Sequence, residues 1–309
     1  MVIEKNIPLS DKNWFKTGGN ASHFCRPITI QDWQEALAYA TGNNLAITLL
    51  GQGANVLISD DGIDGLVICP APGTITHDQS KATITADAGV GLPEIIDYGI
   101  AHGLLGLEEF SGIPGSVGGS LFINVHYFQF FLGNFLESAI VIDTATGQAM
   151  TVDRAWFNFG YDQSKLFDRH HYVVQATFKL TPADALQSAY ARGRRDEIIR
   201  HRNQRYPNAR TCGSFFRNFH MDELPFEIEG KKLPYVAYYL DKIGIKGELR
   251  VGNAIVSYQH ANMIVTMPGA TSNDVVQLAR TMQQKVKDQF GIIPQSECQL
   301  LGFKKNPLL

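Results

Sequence analysis

The chain has 309 residues, with 27 basic and 30 acidic side chains and a formal net charge of −3. Hydrophobic residues are 44% and charged residues 18%, a globular balance that excludes a disordered or collagen-like chain. A pI near 6.3 argues against a wholly basic nucleic-acid binder, no apolar run nears the ~18–20 residues of a membrane helix, and residues 1–5 carry no secretory core, so neither nucleic acid nor membrane is an expected partner.

Taken in chain order, residues 30–41 place Trp33, Ala36, Leu37 and Ala40 at helical spacing. Residues 45–50, 56–59 and 66–68 are short apolar strands, the last two parted by a turn at 60–65. Residues 82–86 alternate as a strand. Residues 93–102 read as a helix, with Pro93 in the first turn and Gly103 at the end. Strands are expected at 139–143, 149–152 and 172–180. Residues 183–205 hold six arginines (Arg192, Arg194, Arg195, Arg200, Arg202 and Arg205), read as a solvated helix face joining two domains. Helices at 235–243 and 272–290 enclose strands at 254–257 and 263–266. The four cysteines show no C-x-x-C or zinc spacing, so reduced thiols, a cytoplasmic location and no metal are expected.

The 29 glycines cluster. One group is Gly51-Gln52-Gly53-Ala54-Asn55, and another is Gly112-Ile113-Pro114-Gly115-Ser116-Val117-Gly118-Gly119. Glycine permits φ > 0 and close backbone approach, and consecutive amides form nests for a pyrophosphate. Tight turns are the simpler alternative for either loop alone. Neither loop fits the Rossmann or P-loop pattern.

In order, these pieces resemble the UDP-N-acetylenolpyruvoylglucosamine reductase family over nearly the whole chain. The resemblance runs through Trp14-Phe15-Lys16-Thr17-Gly18-Gly19, the two glycine loops, Gly213-Ser214-Phe215-Phe216-Arg217-Asn218 and Ser257-Tyr258-Gln259-His260-Ala261-Asn262. It implies an α+β fold: a two-lobed FAD-binding region of the vanillyl-alcohol-oxidase type plus a C-terminal α+β substrate domain. The implied boundaries are 1–65 and 66–185 for the FAD lobes, 186–292 for the substrate domain, and 293–309 for a segment returning to the active site. The implied activity is NADPH-driven, FAD-dependent reduction of UDP-N-acetylglucosamine enolpyruvate to UDP-N-acetylmuramate for peptidoglycan, by a monomer holding FAD non-covalently.

On the resemblance, Ser214 is the proton donor and Glu297 the C-terminal catalytic glutamate. Gly51, Gln52, Gly53, Ala54, Asn55, Val56, Gly112, Ile113, Pro114, Gly115, Ser116, Gly118, Gly119, Asn124 and Arg250 would hold FAD. Arg217, Asn218 and Tyr161 would meet the UDP-sugar. Read alone, Ser214 is a turn serine, Glu297 a surface carboxylate and Arg217 a solvated charge.

Two departures stand out. Asp162 occupies the place of an arginine in the family's Y-R-x-S, where a carboxylate would repel an anionic substrate. After Asn124, His126 and Gln129 replace two glycines, positions expected to need φ > 0 or close backbone approach to the isoalloxazine. These departures leave open a flavoprotein with another substrate, or a non-catalytic FAD-binding relative.

Overall fold

The computed structural model describes residues 1–309. They form two compact units. The first comprises 1–6, 22–52 and 64–202, and the second 7–21, 53–63 and 203–309. This division departs from the expected linear boundaries. Residues 1–65 are shared out, 186–202 stay with the first unit, and 293–309 belong with 203–292. Strand pairing supplies the reason: Gln299–Leu301 runs parallel to Val56–Ile58, with Gln299 opposite Val56, so 53–63 groups with the C-terminal part.

The first unit contains a five-stranded antiparallel sheet in the order Ala149–Asp153, Leu136–Asp143, His171–Lys179, Thr83–Asp87, Ile75–Asp78. Its apolar core gathers Ile84, Phe110, Val117, Leu121, Phe157 and Phe178. Helix Leu92–Ala101 adds Leu92, Ile95, Ile96 and Ile100, with proline in its first turn, where a missing N–H costs nothing. A second cluster surrounds helix Ile30–Gly42. Thr29 and Asp32 form a capping box there, and Trp33, Ala36, Leu37 and Ala40 are buried with Cys25, Leu66, Ile68 and Tyr172. Strands Ile47–Leu49 and Ile63–Ile68 pair in parallel.

The arginine-rich helix spans Ala185–Arg205 and buries only Ala191 and Ile198. It is not simply solvated. Arg194 forks onto Glu109 at 2.9 and 3.0 Å, and Arg195 donates to Asp97 at 2.7 Å. Arg202 lies 5.6 Å from the Tyr127 ring.

The second unit packs helix Ser272–Phe290 with strands Arg250–Val251, Ala254–Val256 and Ile264–Thr266. Thr271 and Asp274 form its capping box, and Gly291 at φ +72 ends it. Val275, Leu278, Ala279, Met282 and Val286 line its buried face. Gln283 is buried on the helix too, bonding Pro294 O at 2.7 Å and receiving Leu309 N–H at 3.0 Å.

The expected turn at 60–65 is shorter than the sequence implies, because the strand begins at Ile63. Gly62, at φ +82, makes the corner, where a Cβ would stand 2.2 Å from Asn20 O. Gly62→Ala combines strain with a backbone collision. It should destabilise the protein by at least ~1–3 kcal/mol, lowering the thermal midpoint. Gly42→Ala, with nothing within 4 Å of the added Cβ, is the control and should leave the midpoint unchanged or raise it.

Candidate active site

In the first unit the glycine loops meet at Ser116. A Cβ on Gly51 would lie 2.6 Å from Ser116 Oγ. That oxygen caps helix Val117–Phe122 by accepting from Gly119 N–H at 3.3 Å. The second loop is anchored by Leu92 N–H to Gly115 O (2.8 Å), Val117 N–H to Val90 O (2.8 Å) and Gly118 N–H to Ala88 O (2.9 Å). Gly112 and Gly115 take φ +77 and +140. Ile113 and Pro114 lie between them.

In the second unit Gly53 takes φ +65, and a Cβ there would strike Lys12 O at 2.3 Å. The amides of residues 51–55 donate to no main-chain carbonyl. Asn55 Nδ2 reaches Glu297 O at 3.4 Å, while its Oδ1 is buried without a hydrogen-bond partner. Val56 opens the strand that pairs with Gln299. A run of unengaged amides flanked by obligatory glycines fits a pyrophosphate, and the orphaned Asn55 oxygen fits a hydroxyl or N–H donor. These residues therefore fit FAD.

The Asn124 side chain is buried, with Nδ2 donating to Gly160 O and Oδ1 accepting from Gly133 N–H, both at 2.9 Å. That amide ties two loops together, which leaves the main chain of Asn124 as its part open to a cofactor. The expected positive φ at His126 and Gln129 is absent. His126–Tyr127 pairs with Phe130–Phe131 as a hairpin, and φ +51 falls on Phe128, whose ring is exposed at the tip. Asp162 sits at φ +49 in a turn closed by Gly160 N–H to Gln163 O, a conformation aspartate adopts more readily than most residues. Its carboxylate is 3.3 Å from His126 Nδ1. Asp162 is therefore not a bare negative charge.

The second unit pairs the segment that carries Ser214 with the segment that carries Glu297. The segment 214–216 lies between two others. On one side Ser214 bridges Met263, and Phe215 N–H donates to Asn262 O at 2.8 Å. On the other, Phe216 bridges Ser296, and Glu297 N–H donates to Phe215 O at 2.9 Å. Gly213, at φ +81, has nothing within 4 Å of a notional Cβ, so the approach beside Ser214 is open.

Asn262 locks this element, a role that sequence reasoning missed although its motif was visible. Its buried amide accepts from Phe216 N–H at 3.1 Å and donates to Phe216 O at 2.7 Å. Its own N–H donates to His260 Nδ1 at 3.3 Å. Burial, with Arg205 and Lys246 adding to it, pushes the His260 imidazole down to about 4.

Arg217 is half-buried and bidentate with Glu223 at 2.6 and 2.7 Å, so it is not a solvated charge. Hydrogen bonding from Arg217, aided by the His220 amide, draws the Glu223 carboxyl down to about 2. Asn218 Oδ1 accepts from Val236 N–H at 3.2 Å. Arg250 is exposed and reaches Gly252 O at 3.1 Å. Tyr161 is exposed and stands 4.8 Å from the His126 ring.

Residues 204–301 match the family described as UDP-N-acetylenolpyruvoylglucosamine reductase, C-terminal domain, and residues 21–153 match the FAD binding domain family. The UDP-N-acetylenolpyruvoylglucosamine reductase of Levilactobacillus brevis is 32% identical over 305 residues, covering 97% of this chain and 93% of that one. The enzyme of the same name from Listeria monocytogenes is 32% identical over 307 residues, covering 99% and 97%. The crystal structure of the Thermus caldophilus reductase superposes with a TM-score of 0.77 at 25% identity, covering 97% of this chain and 99% of that one. No helix is long and apolar enough to cross a membrane.

Two outcomes follow from the Asn262 lock. Asn262→Ala strands two buried main-chain groups of Phe216. It should cost about 2–4 kcal/mol, read as a lower unfolding midpoint in calorimetry. His260 sets a pH dependence. Its folded pKa of about 4 lies below the ordinary 6.5, so the unfolded chain binds more protons between those values. The stabilisation is complete above pH 6.5 and is lost as pH falls toward 4. Urea unfolding of the parent should weaken from pH 7.5 to about 5, and His260→Gln should flatten that decline.

Proposed function

The chain belongs to the UDP-N-acetylenolpyruvoylglucosamine reductase family, and on that premise we propose that Ser214 is the proton donor and Glu297 the second catalytic group in NADPH-dependent reduction of UDP-N-acetylglucosamine enolpyruvate to UDP-N-acetylmuramate, a peptidoglycan precursor. The observation that supports this assignment is the bond from Glu297 N–H to Phe215 O, which holds the main chain of Glu297 against the residue next to Ser214.

When bound, FAD would supply the hydride chemistry between NADPH and the β-carbon of the enol ether. The chain's own residues do the rest. Hydride addition leaves negative charge on the substrate's carboxylate and α-carbon, which needs stabilisation by fixed dipoles and charges. A hydroxyl on a rigid segment can then protonate the α-carbon. Ser214 suits that demand, because its main chain bridges Met263 and the residues that follow it, Phe215 and Phe216, are paired to Glu297 and Ser296, so little conformational freedom is left to lose.

For the cofactor, Gly51, Gln52, Gly53, Ala54 and Asn55 offer main-chain donors, and Gly112–Gly119 offer a second stretch capped by Ser116. Arg217, neutralised by Glu223, and Asn218, joined to Val236 N–H, form a stiff edge for the sugar nucleotide. Arg250 remains a cation for the cofactor and Tyr161 an aromatic face for the substrate. The enzyme works as a cytoplasmic monomer with FAD held non-covalently.

Rapid mixing separates the two half-reactions. Ser214→Ala should leave flavin reduction by NADPH unchanged and slow reoxidation by the enolpyruvyl sugar nucleotide by ~10²-fold or more. Equal loss in both halves would mark Ser214 as structural.

A further inference from the structure

The two places where the sequence departs from its relatives' pattern touch each other. His126 and Asp162 lie 36 residues apart in number, yet Nδ1 and Oδ1 stand 3.3 Å apart. The contact is built rather than incidental. Asn124, two residues before His126, donates to the carbonyl of Gly160, two residues before Asp162. The imidazole stacks on Phe131 at 5.3 Å and leans on Tyr161 at 4.8 Å. The Asp162 side chain is 10% exposed, and its Oδ2 is buried with no hydrogen-bond partner. The His126 side chain is 25% exposed. A carboxylate this dry demands a donor, and the ring beside it is the donor at hand.

This arrangement fixes which way the imidazole faces. With Nδ1–H turned to Asp162, the outward nitrogen is Nε2, and an imidazolium held so presents its second N–H away from the aspartate. The ring nitrogen stands between the Asp162 carboxylate and an approaching anion, and an approaching carboxylate itself favours the imidazolium form. Two aromatic neighbours limit ring rotation, which lowers the entropy lost when the outer N–H takes an acceptor.

We infer that His126, oriented by Asp162, is the donor for the enolpyruvyl carboxylate, doing with an imidazole what the absent guanidinium does not do here. His126 determines recognition of that carboxylate, and Asp162 is its positioning residue. The inference rests on the reductase reading above.

The test compares two ligands of the oxidised holoenzyme by calorimetry: UDP-N-acetylglucosamine enolpyruvate and UDP-N-acetylglucosamine, which lacks the carboxylate. His126→Phe keeps the aromatic stacking and removes the N–H. It should weaken the enolpyruvyl ligand at least tenfold and leave UDP-N-acetylglucosamine within twofold. His126→Gln retains an N–H and should recover part of the loss, which guards against a folding defect in the phenylalanine variant. Asp162→Asn should weaken the enolpyruvyl ligand alone, by less, and add nothing in the double variant with His126→Phe. Equal weakening of both ligands, no weakening of either, or additive losses in the double variant would overturn the inference. The reduced parent is mixed with the enolpyruvyl sugar nucleotide in parallel. Failure to reoxidise would overturn the reductase reading and this inference with it, whereas a reoxidised parent with an unselective His126→Phe overturns only the role of His126.

Discussion

The buried amide of Asn262, bonded to both main-chain groups of Phe216, is the constraint on which the segment 214–216 depends. A strand that short has too few ladder bonds to resist fraying. The Asn262 side chain supplies a donor and an acceptor at the one residue where the ladder changes partners, from 262–263 on one side to 296–298 on the other. Phe215 and Phe216 on either side are buried, so the alternative to these bonds is two polar groups in an apolar core. Ser214 inherits its rigidity from this arrangement. The neighbouring His260 is kept neutral chiefly by burial, and its Nδ1 accepts Asn262 N–H.

Electrostatics in the first unit follow a different logic. Charge there is placed in pairs that touch: Arg194 with Glu109, Arg195 with Asp97, His126 with Asp162. The helix Ala185–Arg205 shows why a charge count along the sequence misleads. Two of its arginines meet acids more than eighty positions away, so their partners cannot be read from neighbouring residues. Asp162 shows the same blindness from the other side. Its carboxylate looks hostile to an anionic substrate until His126 is set beside it.

Periodicity made the long amphipathic elements legible. Ser272–Phe290 and Ile30–Gly42 carry both their caps and their buried faces in plain view. Strands Glu4–Pro8, Asn20–Cys25 and Ile75–Asp78 escaped, because their exposed and buried positions follow no clean alternation. Helix Val117–Phe122 was hidden by two glycines in its first turn, where propensity argues against a helix. The proposed roles of Ser214 and Glu297 came only through resemblance, since no local pattern predicts that the segments 214–216 and 296–298 pair. In the hairpin after Asn124 the positive φ moved to Phe128, because a two-residue turn puts that demand on its tip and leaves His126 extended.

The parallel pairing of Val56–Ile58 with Gln299–Leu301 has a consequence for biosynthesis. Val56 leaves the ribosome 299 − 56 = 243 residues before Gln299. At ~5–20 residues per second that interval is roughly 12–50 s. For that time three consecutive apolar residues, Val56, Leu57 and Ile58, lack the strand that pairs with them along one edge. The nascent second unit thus stays incomplete until Gln299–Leu301 has been made, and until then Val56–Ile58 presents an unpaired β edge of the kind that invites association with other chains.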